Sequence, residues 1–252
     1  MKIRTLPFFI ILGLSLVIIS SCKKTLTYQG EPLTDYFQLQ SGKTITYRLD
    51  STNFTNYGTA TTTTSYIVED VVDTTILDNL GRTCWLVSRN ITDTAETQGW
   101  SGLETYTITP TPTSIEVNEN NLRYVMLAQP ITQGFTWPGN NYIGPVGDDN
   151  TPDPTYMEGW DYTYDSVGGP FTVLAGTIPN TLYILQANVY EPDSTNLAST
   201  SYLTYSVEVY AKGVGLIYKD FLHWFYEPPG SNGNSQGYRI GYGIRLNMIG
   251  HN

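Results

Sequence analysis

Apolar and polar positions alternate with a period of two along most of this chain. From Ser201 to Tyr210, the set Tyr202, Thr204, Ser206, Glu208 and Tyr210 opposes Leu203, Tyr205, Val207 and Val209. From Thr181 to Tyr190, Leu182, Ile184 and Gln186 oppose Tyr183, Leu185 and Ala187. Such alternation sends successive side chains to opposite faces of a strand, and the abundant Thr, Tyr, Val and Ile suit a pleated, half-buried surface. The same reading predicts strands at 44–53, 62–72, 83–92, 104–109, 113–118, 123–129, 160–165, 171–177, 215–226 and 238–248, separated by clusters of Gly, Pro, Asn and Asp. No window holds a convincing helical period. The fold class expected is all-β: one antiparallel domain over 35–252, a barrel or half-barrel, with a β-sandwich as the alternative. The longest irregular connection, 138–154, is the expected place for a functional loop.

The N-terminus departs from this pattern. Lys2 and Arg4 precede an apolar run from Leu6 to Ile19, broken only by Pro7, Gly13 and Ser15, and Ile19-Ser20-Ser21-Cys22 closes it. The run is too short to span a bilayer and has the layout of a secretory signal over residues 1–21. With cysteine first after the cut, the segment resembles a bacterial lipoprotein lipobox. That resemblance implies lipidation at Cys22, whose combined acyl chains hold a membrane durably where a single chain holds weakly. Residues 22–34 then read as the lipidated tether.

Charge narrows the partners. Without residues 1–21 the chain keeps 11 of its 13 basic residues against 23 acidic ones. A surface this acidic argues against nucleic acid, which needs a concentrated positive face. Lys23 and Lys24 are the exception, placed where they would meet anionic headgroups. Cys84 is the other cysteine, so the folded part is stabilised without an intramolecular disulfide. Its setting in Thr83-Cys84-Trp85-Leu86-Val87 reads as a small buried hydrophobe.

Several motifs together resemble a group of Bacteroidetes outer-membrane lipoproteins. These are Tyr36-Phe37-x-Leu39-x-x-Gly42-x-x-Ile45-x-Tyr47, a looser copy at Tyr124-x-x-Leu127 followed by Gly134-x-x-Trp137, the segment Thr172-Val173-Leu174-Ala175-Gly176-Thr177, and Tyr210-Ala211-Lys212-Gly213-Val214-Gly215-Leu216-Ile217. The motifs are short and structural, so the resemblance implies a shared fold more than a shared activity. It also implies a location, the outer membrane. Exported members of the group tend to carry an acidic cluster after the cysteine, whereas the first acidic residue here is Glu31. The periplasmic face is therefore favoured over the cell surface.

Candidate chemistry is sparse. His223 lies among aromatics in Phe221-Leu222-His223-Trp224-Phe225, where a structural histidine outweighs a general base, and His251 is penultimate. No nucleophile elbow, zinc-protease or phosphate-loop motif is present, so a hydrolase is the outside reading and no cofactor is expected. Asp148, Asp149 and Asp153 offer oxygen ligands for a hard cation, although acidic residues beside prolines more often cap a loop. Trp160, Tyr162 and Tyr164 share one strand face and form a candidate ligand strip for stacking on sugars; the competing reading packs them into the core. Asp-Ser and Asp-Thr triplets make Ser51, Thr74, Thr94, Ser166 and Ser194 candidate O-glycosylation sites, or ordinary turn residues. The expected role is non-catalytic binding or envelope-structural work, through a glycan, an envelope protein or an apolar ligand. An apolar ligand would need a cavity larger than about 300 Å³.

Overall fold

The computed structural model of this protein describes residues 30–144, 154–191, 199–230 and 235–252. Residues 1–21, read from the sequence as a secretory signal, together with Cys22, Asp148, Asp149, Asp153 and Ser194, lie outside the described residues. Glu31–Asn252 forms a compact unit. It contains β1 (Thr44–Thr55), β2 (Ala60–Leu77), β3 (Thr83–Asp93), β4 (Ser101–Pro110), β5 (Ser114–Glu119), β6 (Leu122–Ala128), β7 (Thr136–Pro138), β8 (Asp161–Val173), β9 (Gly176–Glu191), β10 (Ser201–Ala211), β11 (Gly215–Glu227) and β12 (Tyr238–His251). These strands make one antiparallel sheet in the order β6-β5-β4-β3-β2-β1-β12-β11-β10-β9-β8-β7, nearly closed into a barrel. The all-β expectation holds, and near-closure selects the barrel over the sandwich.

The first and last strands meet inside the sheet, where β1 pairs with β12 from Asn53↔Tyr242 to Ile45↔His251. The free edges are therefore β6 and β7, and an edge leaves backbone groups needing partners. The Val125 N–H donates to the Gly139 carbonyl at 2.8 Å. The Trp137 indole N–H donates to the Val125 carbonyl at 2.8 Å. The Tyr164 hydroxyl serves both backbone groups of Ala128. One backbone bond and the side chains of Trp137 and Tyr164 thus close the seam where a ladder would otherwise run.

Two strand boundaries differ from the sequence expectation. Residues 160–165 and 171–177 do not give two strands: β8 is continuous through Gly168, Gly169 and Pro170, and its register against β9 slips at three places. A bulged strand accepts glycine and proline without ending, which is why those residues misread as a turn. The short β7 pairs with β8 over three residues, too few for a period to show. Beyond the bulges, the tip of this hairpin lies against the outer wall. Phe171 sits 6.1 Å from Tyr183 and 5.1 Å from Tyr218, ring centre to ring centre. The Leu174 N–H donates to Asn247 Oδ1 at 2.7 Å.

Residues 31–34, read as the end of the tether, belong to the barrel. Leu33 and Tyr36 sit on the 3-10 turn Leu33–Tyr36 and are buried with Val87, Ile115 and Leu127. Lys212 pairs with Glu31 and Asp35, and the Gly213 N–H donates to the Asp35 carbonyl at 2.7 Å. This segment closes one end of the barrel, beside the turn that carries Gly213 at φ +76°, where glycine adopts the left-handed backbone without strain.

Candidate functional site

Above that closed end the barrel holds a cavity of about 790 Å³. Its walls follow from strand alternation. On β12, Ile240, Tyr242, Ile244 and Leu246 point inward, opposite Phe225, His223, Phe221 and Lys219 of β11; Leu49 and Val68 continue the wall. Leu103, Ile240 and Tyr242 line the cavity yet remain 48 %, 57 % and 42 % exposed, which marks the mouth. Tyr156 and Met157 reach the cavity from the 3-10 turn Pro154–Met157, at the end of the long connection between β7 and β8. The Tyr156 ring stacks on His223 with centres 3.8 Å apart and planes 10° from parallel, and its hydroxyl lies 3.3 Å from that of Tyr242. His223 Nδ1 is 2.8 Å from Thr204 Oγ1, and burial lowers the imidazole pKa, so the ring is neutral.

The deep end carries charge. Asp70, Arg89, Glu104 and Glu119 come from β2, β3, β4 and β5. Arg89 Nε and Nη2 hold the two oxygens of Asp70 at 2.6 and 2.8 Å, while Nη1 reaches Glu104 at 2.7 Å and Glu119 at 3.2 Å. The Tyr106 hydroxyl adds a bond to Asp70 at 3.0 Å. Across the barrel, Lys219 Nζ lies 3.0 Å from Glu208, which also accepts from the Tyr210 hydroxyl at 2.6 Å. Burial, joined by the charge of Glu119, pushes the Glu104 carboxyl above its ordinary range. Burial also acts on Glu119, but Lys219, Arg89 and a hydrogen bond from Glu104 outweigh it and hold that carboxyl low. The pKa values of the two neighbouring carboxyls are thus pushed apart, Glu104 upward and Glu119 downward.

This pair does not make a glycosidase site. The two carboxyls touch each other and share one guanidinium nitrogen, whereas glycoside hydrolysis needs its acid and base roughly 5–10 Å apart across the scissile bond.

The structure redistributes the residues singled out from sequence. Tyr162 and Tyr164 are fully buried, at 2 % and 0 % exposure, so the exposed sugar-stacking strip does not form. Their phenols are committed at the seam, Tyr162 to Asn140 Oδ1 at 2.6 Å and Tyr164 to Ala128. Trp160 is half-buried and donates its indole N–H to the Tyr156 carbonyl at 2.7 Å. Of the glycosylation candidates, Thr74 and Thr94 are exposed, while Ser51 and Ser166 are half-buried on β1 and β8. Cys84 is buried at 1 % exposure, as its setting suggests.

The ionic residues went unnoticed in the sequence, yet a signal was there. Asp70 is in phase with Val68 and Val72, Arg89 with Val87 and Ile91, and Lys219 with Ile217 and Phe221. A charge in step with the apolar face of a strand points into the barrel.

No protein-family model matches this chain, and no curated protein matches it. Among solved structures, it is similar to a Bacteroides fragilis protein inferred to be exported and described as having a YmcC-like fold. Identity is 12 % over 84 % of this chain and 96 % of that one, with a TM-score of 0.32. A likeness at that level carries no weight for the function of this chain.

Proposed function

We propose that this protein is a non-catalytic envelope carrier that holds one amphiphilic molecule inside its barrel, anchored through lipid on Cys22 at the periplasmic face of the outer membrane. The cavity of about 790 Å³ carries the reading. It lies well inside the roughly 300–1,000 Å³ typical of small-molecule sites, and it pairs an apolar wall with a few convergent polar groups at one end. The lipobox-like Ile19-Ser20-Ser21-Cys22 supports the anchor.

Two measurements test the carrier. The mature protein from a native-type host is weighed under native and denaturing conditions, where a bound molecule appears as an adduct that denaturation removes. The recombinant protein is titrated with the neutral fluorophore N-phenyl-1-naphthylamine, alongside Ile244→Trp, which fills the cavity. Saturable fluorescence lost in Ile244→Trp, with the β-sheet circular dichroism signature kept, is the expected result. No adduct and no probe binding would end the carrier reading.

A further inference from the structure

Charge at the deep end distinguishes among head groups. Arg89 is neutralised by the bidentate Asp70, and Lys219 by Glu208. Glu104 and Glu119 remain, sharing the Nη1 of a guanidinium whose charge is already balanced. Both line the cavity and keep 21 % and 19 % of their side-chain surface accessible. The other titratable groups facing this end bring no positive charge. Tyr47, Tyr106, Tyr124 and Tyr210 are phenols whose pKa burial raises, and Tyr156 and His223 towards the mouth are neutral. Leaving the phenols aside, this end thus sets four carboxyls (Asp70, Glu104, Glu119 and Glu208) against two cations (Arg89 and Lys219) among the described residues.

We infer that the cavity takes a single-chain amphiphile with a primary ammonium head seated on Glu104 and Glu119, its tail lying along Leu49, Phe221, Ile244 and Leu246. This rests on the carrier reading and adds the class of ligand. The ammonium donates hydrogen bonds to both carboxylates, which line the cavity side by side on Arg89 Nη1. Among the described residues a carboxylate head finds no free cation at this end, since Arg89 Nε, Nη1 and Nη2 each already hold a carboxyl and Lys219 holds Glu208. An uncompensated anion in such a site is costly.

The test compares dodecylamine, dodecanol and dodecanoate at equal concentrations below micelle formation, each added to the protein and followed by native mass spectrometry and titration calorimetry. Dodecylamine is expected to bind at least about ten-fold more tightly than dodecanoate. Glu104→Gln with Glu119→Gln is expected to remove the preference for the amine while leaving dodecanol binding in place. If the double variant does not fold, Glu119→Gln alone is expected to reduce the preference. Dodecanoate binding as tightly as dodecylamine would overturn the head-group assignment and leave the carrier standing. Binding of none of the three would overturn both.

Discussion

The phenol of Tyr164 serves both backbone groups of Ala128, donating to the carbonyl at 2.8 Å and accepting from the N–H at 3.1 Å. One side chain thereby supplies a rung at the gap between the edge strands β6 and β7. Tyr164→Phe keeps the ring and removes both bonds, stranding two buried groups at about 1–3 kcal/mol each. Urea unfolding should show a total loss of about 2–6 kcal/mol for the two groups, with faster hydrogen exchange at the Ala128 amide. A loss under about 0.5 kcal/mol would mean that the seam is held elsewhere.

Gly139 lies at the same seam with its Cα against the Tyr162 ring. A Cβ placed there would sit 2.4 Å from three ring carbons. Gly139→Ala must displace Tyr162 and strain its bond to Asn140, so a destabilisation of about 1–3 kcal/mol is expected from thermal or urea unfolding. Wild-type stability in the variant would show that the ring has room to move.

Arg89 balances three carboxyls at the deep end of the cavity. Arg89→Met removes the cation and leaves Asp70, Glu104 and Glu119 facing one another, at a cost of about 3–5 kcal/mol at neutral pH. The deficit should shrink as pH falls and the stranded carboxylates take up protons. A pH-independent deficit would point to lost packing of the arginine stem instead.

His223 sets a second pH dependence, with a different window. Burial holds its folded pKa below the ordinary 6.5, so the unfolded chain binds the proton first. Stability therefore falls as pH drops through the ordinary value and levels off below the folded one. The urea midpoint should be lower near pH 5.5 than near pH 7.5, and His223→Gln should flatten that difference. An undiminished slope in the variant would assign it to another group.

Cys84 is buried, and burial raises its thiol pKa. It should resist dithiobis-nitrobenzoate in the folded protein and react fully in denaturant. Rapid reaction without denaturant would reveal local opening between β2 and β3.

Alternation, bounded by turn residues, located most of the strands, because the side-chain period of two is a property of the backbone and survives in any tertiary setting. It made the long strands legible, from β1 to β3 and from β9 to β12, and it marked Cys84 as buried. It could not reveal β7, whose three residues hold no period, or the unity of β8, whose bulges use the residues that end strands elsewhere. Nor could it say which face of β10 turns inward. The set from Tyr202 to Tyr210 that looks outward-facing by polarity points into the barrel, where Thr204 meets His223 and Glu208 meets Lys219. Its apolar alternates face the outer wall, where Val209 packs in one cluster with Phe171 and Val173 of the β8–β9 hairpin.

The candidate site was closed to sequence for the same reason. Asp70, Arg89, Glu104 and Glu119 are spread over 50 residues of chain, and only cross-strand registry brings them together: Asp70 opposite Arg89, and Arg89 opposite Glu104. The sequence by itself determined the class of fold and the acidic balance, which are local or summed properties. Near-closure of the barrel decided the rest. Bending one sheet round on itself turns one face of every strand towards a shared interior, and whether that interior is filled or hollow depends on pairings far apart in the chain.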